Sequence, residues 1–318
     1  MSDNSRSSQG QAPETPDALG GAGAPTASDA AGGAGVPAAG DAAGGAGVSA
    51  APAQAARLRT GLLADRVVVV SGVGPGLGRS ICLEAAAAGA KVVLAARTES
   101  RLKEVAAEIE ADGGETLCVA TDITDDAAVQ NLVARTLETF GRVDALVNNA
   151  FAVPSMKPLA RTDYQQIRDS IDLTVLGGLR MTQAFTEALT ESKGSVVMIN
   201  SAVLRHSEPR YGSYKVAKSA LLAMSQTLAT ELGPKGVRVN TVAPGYIWTD
   251  QLKWYFGEIA KKYNITPEQV YEQTAAKSDL KRLPEPDEIA RAVVFLASPW
   301  ANAITGQTLD VNCGEYHV

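Results

Sequence analysis

RVVVVSGVGPGLGRSICLEAAAA, running from Arg66 to Ala88, decides the fold. Four consecutive valines between Arg66 and Ser71 read as a short strand, apolar on both faces as parallel strands covered on both sides are. Four glycines follow, Gly72, Gly74, Gly76 and Gly78, and then a helix-forming run from Leu77 to Ala88. Glycine lets a backbone come close to a pyrophosphate, and a helix N-terminus presents unbonded N–H groups at a positive dipole end. Gly72, Gly76 and Gly78 give the spacing G-x-x-x-G-x-G, and no choice among the four gives G-x-G-x-x-G. A glycine loop alone is a weak signal, since a tight turn without a ligand uses the same residues.

Outward from this unit, apolar runs alternate with amphipathic ones. Lys91–Ala96, Thr116–Ala120, Ala145–Asn148, Ser195–Asn200, Val237–Val242 and Leu309–Asn312 read as further strands. Ser100–Ala111, Asp125–Phe140, Tyr164–Leu189, Tyr211–Leu232 and Asp287–Ala297 read as helices between them. Parallel strands need right-handed crossovers, so the alternation predicts an α/β fold: a doubly wound parallel sheet of about seven strands, the Rossmann fold, with helices on both faces. The longest departure is Tyr246–Arg282, an insertion before the last helix and strand.

The first fifth of the chain differs. Residues 1–57 are almost entirely Ala, Gly, Pro, Ser and Asp, and a twelve-residue unit recurs at Asp17–Ser28, Asp29–Gly40 and Asp41–Pro52. The repeats carry no large apolar residue to stack between copies, so a disordered tail is expected, followed by one α/β domain over 58–318. Cys82, Cys118 and Cys313 lie far apart with no CxxC, and only two histidines are present. That argues against a disulfide framework and a zinc site, and fits a cytoplasmic protein. A net charge of −6 gives a nucleic-acid partner no electrostatic support, and no apolar run is long enough to cross a bilayer.

The chemistry sits downstream. Ser201, Tyr214 and Lys218 lie thirteen and then four residues apart, and the i, i+4 pair shares one face of a helix. An ammonium beside a phenol is expected to favour the phenolate, and with a hydroxyl donor and a nucleotide site this suits proton transfer at a carbonyl oxygen. Dinucleotide sites that prefer NAD place an acid after the second strand, but Ala96 stands there and Arg97 follows. A guanidinium there would bind a 2′-phosphate, so NADP(H) is preferred with NAD(H) second; otherwise Arg97 is a solvated helix-start residue.

Taken together, these residues resemble the short-chain dehydrogenase/reductase family, in its single-domain branch, from about Leu62 to Gly314. The glycine loop, Asp122, Asn148-Asn149-Ala150, Ser201, Tyr214, Lys218, Pro244-Gly245 with Ile247 and Thr249, and Ile304-Thr305-Gly306-Gln307 follow the family's order and spacing. The resemblance implies Tyr214 as acid or base, Ser201 as hydrogen-bond partner of the reacting oxygen, and Lys218 on the nicotinamide ribose. It implies a cofactor held by Ser71, Gly72, Gly76, Leu77 and Gly78, by Asp122, Ile123, Asn148 and Ala150, and by Gly245, Ile247 and Thr249 after Pro244. A homodimer or homotetramer is implied in the same way. Tyr211 and Lys215 also satisfy Y-x-x-x-K, but Tyr214 stands at the family's usual distance from the serine.

Two positions depart from the family pattern. Its catalytic asparagine falls on Thr174, which keeps a backbone carbonyl and a hydroxyl for a proton relay. Phe151 stands where Asn-Asn-Ala is followed by glycine, so its ring must alter the pocket or displace the loop. Seven of the sixteen aromatic residues fall between Tyr246 and Tyr271, inside the segment 246–282 that the resemblance implies is a lid over the substrate. With Phe151, Val153, Val203, Leu204 and Tyr211, the lid residues Tyr246 and Trp248 are expected to wall a bulky, apolar ketone or secondary alcohol, unless the rings pack the lid itself. Lys253, Lys261 and Lys262 suit an anionic carrier or an exposed helix face, and His206 reads as a polar loop residue. The leading reading is an NADP(H)-dependent oxidoreductase; the alternative is a catalytically weak nucleotide-binding sensor of the same fold.

Overall fold

A computed structural model describes residues 61–152, 155 and 157–317; the repeat-bearing segment 1–57 and Val153 lie outside the described residues. Seven strands form one sheet: β1 Val67–Ser71, β2 Lys91–Ala96, β3 Thr116–Ala120, β4 Ala145–Asn148, β5 Ser195–Ile199, β6 Arg238–Pro244 and β7 Thr308–Val311. Every pairing is parallel and the order is β3-β2-β1-β4-β5-β6-β7. The winding reverses between β1 and β4, where Ser71 lies beside Asn148. That switch point at the carboxyl ends of the strands is where a doubly wound sheet opens a crevice.

Alternation along each strand divides the core. Val68, Val70, Val92 and Leu94 face one layer, formed by α1 (Leu77–Ala87), α2 (Glu99–Ala111) and α9 (Pro286–Ala297). Val67, Val69, Val93 and Ala95 face the other, formed by α3 (Asp126–Phe140), α5 (Gly177–Ser192) and α6 (Gly212–Leu232). The sheet is thus covered on both faces, which explains why its strands carry no polar–apolar alternation.

The continuous helix expected over Tyr164–Leu189 is divided. It comprises α4 (Tyr164–Ile171), a π-helical turn at Asp172–Leu176, and then α5. The Gly177 N–H reaches the Asp172 carbonyl, five residues back. Gly177 packs against Ile123 so closely that a Cβ would lie 2.7 Å from the Ile123 δ-carbon. The widened turn therefore brings a glycine, not a side chain, to the end of β3.

Asp144 fastens the amino ends of the strands. Its fully buried carboxylate accepts from the Val67 N–H at 2.9 Å, from Arg66 at 3.0 Å and from Arg142 at 2.9 and 2.6 Å. Asp144→Ala leaves the Val67 donor unpaired. The expected cost is about 2 kcal/mol, read as a lower urea midpoint with an unchanged m-value. An unshifted midpoint would show that water replaces the carboxylate at no cost.

The lid is itself structured. Thr249 caps α7 (Asp250–Tyr263) through the Leu252 N–H, and Thr266 with Gln269 forms a capping box on α8 (Pro267–Ala275). The two helices share a small core of Phe256, Ile259, Val270 and Leu283.

Candidate active site

The glycine loop leaves β1 with Gly72 at φ +73°, a conformation open to glycine at little cost. A Cβ there would meet the Ala150 backbone at 2.5 Å, and one at Gly78 would meet the Gly72 carbonyl at 2.5 Å. Asn149 locks the crossing by donating to that carbonyl at 2.8 Å. Gly74 has open space around it, and a Cβ at Gly76 would approach only the Thr249 methyl, at 3.5 Å. Gly76 begins α1 without a side-chain cap, and no acidic residue lies in the first turn. An uncapped helix end above a cradle of glycines that face a cavity fits a pyrophosphate.

Across the cavity, Ser201 follows β5. Its Oγ accepts the Val203 N–H at 3.2 Å, which leaves the hydroxyl proton free to point elsewhere. Tyr214 lines the same wall, where the serine hydroxyl favours its phenolate. Asn200, which the sequence reading passed over, ties the two elements together. Its Oδ1 takes the Ser201 N–H at 3.0 Å, and its Nδ2 donates to the Lys218 carbonyl at 3.1 Å.

Lys218 is 2% exposed, and its ammonium donates to the Ile199 carbonyl at 2.8 Å. The same ammonium lies 5.6 Å from the ring centroids of both Tyr214 and Phe151. Burial lowers its pKa to about 7, and burial raises the Tyr214 phenol to about 12, with the Ser201 side chain pulling the other way. The expected depression of Tyr214 by the ammonium is therefore overridden here, because desolvation disfavours both charged forms and the charge lies over the ring. The competing pair behaves differently. Lys215 is turned outward onto the His206 carbonyl and the Ser207 hydroxyl, and Tyr211 lines the cavity with its hydroxyl 3.3 Å from that of Tyr246.

Thr174 is buried in the π-helical turn, and its Oγ1 accepts the Ala152 N–H at 3.3 Å. It fixes the segment that carries Phe151, whose ring stands 6.4 Å from that of Tyr214 in the cavity wall.

The cavity holds about 470 Å³. Gly72, Gly76, Leu77, Gly78, Gly245, Ile247 and Thr249 line it on the nucleotide side, and Phe151, Ser201, Val203, Tyr211, Tyr214 and Tyr246 on the substrate side. Other expected residues stand elsewhere. Ser71 is fully buried and its hydroxyl bonds the Val147 carbonyl, so it joins strands rather than facing the cavity. Asn148 turns into the core, donating to Thr182 at 3.2 Å, so its neighbour Asn149 is the asparagine at the loop. Trp248 leaves the wall altogether: its ring packs 4.6 Å from Tyr271 and 5.6 Å from Phe256, inside the lid. Apart from Tyr246, only Tyr255 of the lid's aromatic residues reaches the cavity.

Ala150 and Pro244 lie behind the lining as backbone support, Ala150 against Gly72 and Pro244 at the end of β6. Arg97 is exposed beyond β2, and its charge acts on Asp122, whose carboxyl is held low chiefly by hydrogen bonds from Thr124. Ile123 packs beneath Asp122 against Gly177. Glu208, Glu315 and Tyr316, which no local sequence pattern marks, also stand in the cavity wall, and the loop residue His206 stands with them.

Known proteins resemble this chain over nearly all of its described residues. The family model described as enoyl-(acyl carrier protein) reductase matches residues 72–316. The chain is 34% identical over 255 residues to the short chain dehydrogenase/reductase astE of Aspergillus oryzae, covering 79% of this chain and 95% of that protein. It is 32% identical over 254 residues to the 3-oxoacyl-(acyl-carrier-protein) reductase FabG of Staphylococcus epidermidis, covering 79% and 99%. The solved structure of 7 alpha-hydroxysteroid dehydrogenase complexed with NADH and 7-oxo glycochenodeoxycholic acid superposes with a TM-score of 0.71 at 31% identity, covering 80% of this chain and 96% of that one.

Proposed function

The chain belongs to the short-chain dehydrogenase/reductase family, and from that premise we propose that it interconverts a ketone and a secondary alcohol with NADP(H) in preference to NAD(H). The observation that carries the reading is the placing of Ser201 and Tyr214 together in the cavity wall, with Lys218 buried beside them and the glycine cradle across from them. When bound, a nicotinamide supplies or accepts the hydride. Tyr214 then holds the proton that the reacting oxygen gains or loses, and Ser201 orients that oxygen with its free hydroxyl proton. Lys218, beneath them, replaces or drains the tyrosine proton, with Thr174 in the relay. Tyr214 and Lys218 stand four residues apart on α6, which supports carbonyl over enoyl reduction, since enoyl reductases resembling this family space them more widely.

Phe151, Val203, Ile247 and Leu252 give the cavity an apolar flank, which suits a bulky carbon skeleton. Its three described cysteines are free thiols, consistent with a cytoplasmic protein, and we assign it a homodimer or homotetramer as its working form. The test follows NADPH and NADH consumption by the full chain against bulky ketones, with alcohols and NADP⁺ in reverse. Cofactor binding without turnover in either direction would move the sensor reading ahead.

Arg97 supplies a sharper check on the cofactor. With Arg97→Ala, kcat/KM for NADPH is expected to fall about 10- to 100-fold, the worth of a charge-assisted contact, and that for NADH to change by less than about threefold. Equal losses with both cofactors would remove the 2′-phosphate from the argument.

A further inference from the structure

The cavity has two kinds of wall. Beside Phe151 and Val203 it is apolar, whereas the lid and the C-terminal segment bring carboxylates and phenols to it. Glu208 and Glu315 both line it, and each also lines a small adjoining void of about 20 Å³, with Tyr246, Tyr255 and Lys277. Glu315 lies against Gly245 so closely that a Cβ there would stand 2.7 Å from its Oε2. Next in the chain is Tyr316, whose ring stacks 4.6 Å from that of His206. The buried Nδ1 of His206 has no hydrogen-bond partner among the described residues and lies 3.9 Å from Glu208.

Resting on the oxidoreductase reading, we infer that the substrate is amphipathic: its apolar body lies along Phe151 and Val203, and its end remote from the reacting carbon carries hydroxyl or ammonium donors that Glu208 and Glu315 accept. A carboxylate offers acceptors only, and burial pushes the Glu315 carboxyl above its ordinary range, so donors brought by a ligand would favour its charged form. Lys277 offsets Glu315, and Arg210 acts nearby on Tyr255, so the wall is not a bare double charge. The carboxylates also act as a filter, because an anionic substrate end would face like charge at short range. The lysines that the sequence offered to an anionic carrier are engaged elsewhere: Lys253 pairs with Asp250 at the cavity wall, Lys261 pairs with Glu258, and Lys262 lies over the Tyr263 ring. A site built to hydrogen-bond a donor rejects the analogue that lacks it more strongly than an apolar pocket rejects an extra methylene.

A matched series tests this: 4-methylcyclohexanol, 4-(hydroxymethyl)cyclohexanol, 4-(aminomethyl)cyclohexanol and 4-hydroxycyclohexanecarboxylate. Turnover with NADP⁺ is measured on the full chain. Dissociation constants are measured by calorimetry on the NADP⁺-saturated Tyr214→Phe protein, so binding is read whether or not the chemistry runs. The hydroxymethyl and aminomethyl alcohols are expected to bind at least about tenfold more tightly than the methyl alcohol, with the carboxylate weakest. In Glu208→Gln and Glu315→Gln the gap between aminomethyl and carboxylate should shrink by about tenfold or more. A carboxylate that binds as well as the hydroxymethyl alcohol overturns the inference, as does an unchanged order in both variants or no binding by any member at millimolar concentration. The expected order without turnover would sink the oxidoreductase reading and leave this one standing.

Discussion

Tyr214→Phe is expected to lower kcat for carbonyl reduction about 10³-fold while leaving the cofactor dissociation constant within about threefold, the size of effect a positioned general acid has. The substitution removes one hydroxyl and keeps the ring, so the packing against Phe151 and the ammonium of Lys218 persists. What disappears is the hydroxyl that faces the cavity beside Ser201, and with it the proton. Tyr211→Phe is the matched control: it deletes the contact to the Tyr246 hydroxyl and should cost far less than Tyr214→Phe. Stopped turnover in the Tyr211 variant with an active Tyr214 variant would transfer the chemistry to the other Y-x-x-x-K pair.

The pH dependence follows from the same two groups. With the phenol near 12, Tyr214 holds its proton across the working range, so its own titration leaves reduction flat there. Lys218, near 7, loses its charge as pH rises through neutrality. Reduction, which needs a proton delivered, should therefore decline above about pH 7, and alcohol oxidation, which needs one removed, should rise. A reduction rate that climbs with pH would show that the ammonium has no part in the relay.

The sheet was legible because its signals are local. Each buried strand is a short apolar run, and each crossover helix has its own periodicity, so the strand positions and the doubly wound order follow without knowledge of distant contacts. The Ser201–Tyr214–Lys218 set was legible for a related reason, since two of its members share a helix face. The lid shows where that reasoning stops. Thr266, Pro267 and Gln269 spell a helix start, yet the aromatic residues around them drew attention as a substrate wall when most of them form the lid's own core. Glu315 reaches the site through contact with Gly245, and Tyr316 through the ring of His206. No periodicity encodes contacts between residues so far apart in the chain. Asn148 and Asn149 mark a finer limit: successive residues leaving a strand point to opposite faces, and which of the two meets the loop depends on where β4 ends.

Gly72→Ala should be the most damaging single methyl group in the protein. At φ +73° an L-residue costs about 1–2 kcal/mol, and the added carbon would lie 2.5 Å from both N and Cα of Ala150. Those are backbone atoms, and their strand cannot retreat: Ser71 is in register with Asn148 just below, and Asn149 holds the Gly72 carbonyl from the same side. Overpacking of this kind adds about 1–3 kcal/mol, so the expected loss of stability is about 2–5 kcal/mol. The damage spreads to the site, because the Gly72 carbonyl is the atom that Gly78 approaches at the start of α1. Displacing it moves the uncapped helix end relative to the cradle, and cofactor affinity should fall about 100-fold or more even at temperatures where the variant stays folded. Gly74→Ala is the contrast, since a Cβ there meets nothing within 4 Å. It should leave stability within about 0.5 kcal/mol. Its effect on cofactor binding then reports directly on whether the open space beside Gly74 is where the pyrophosphate lies. If Gly72→Ala melts with the wild type and binds cofactor normally, the close crossing of β1 and β4 is not what shapes the loop.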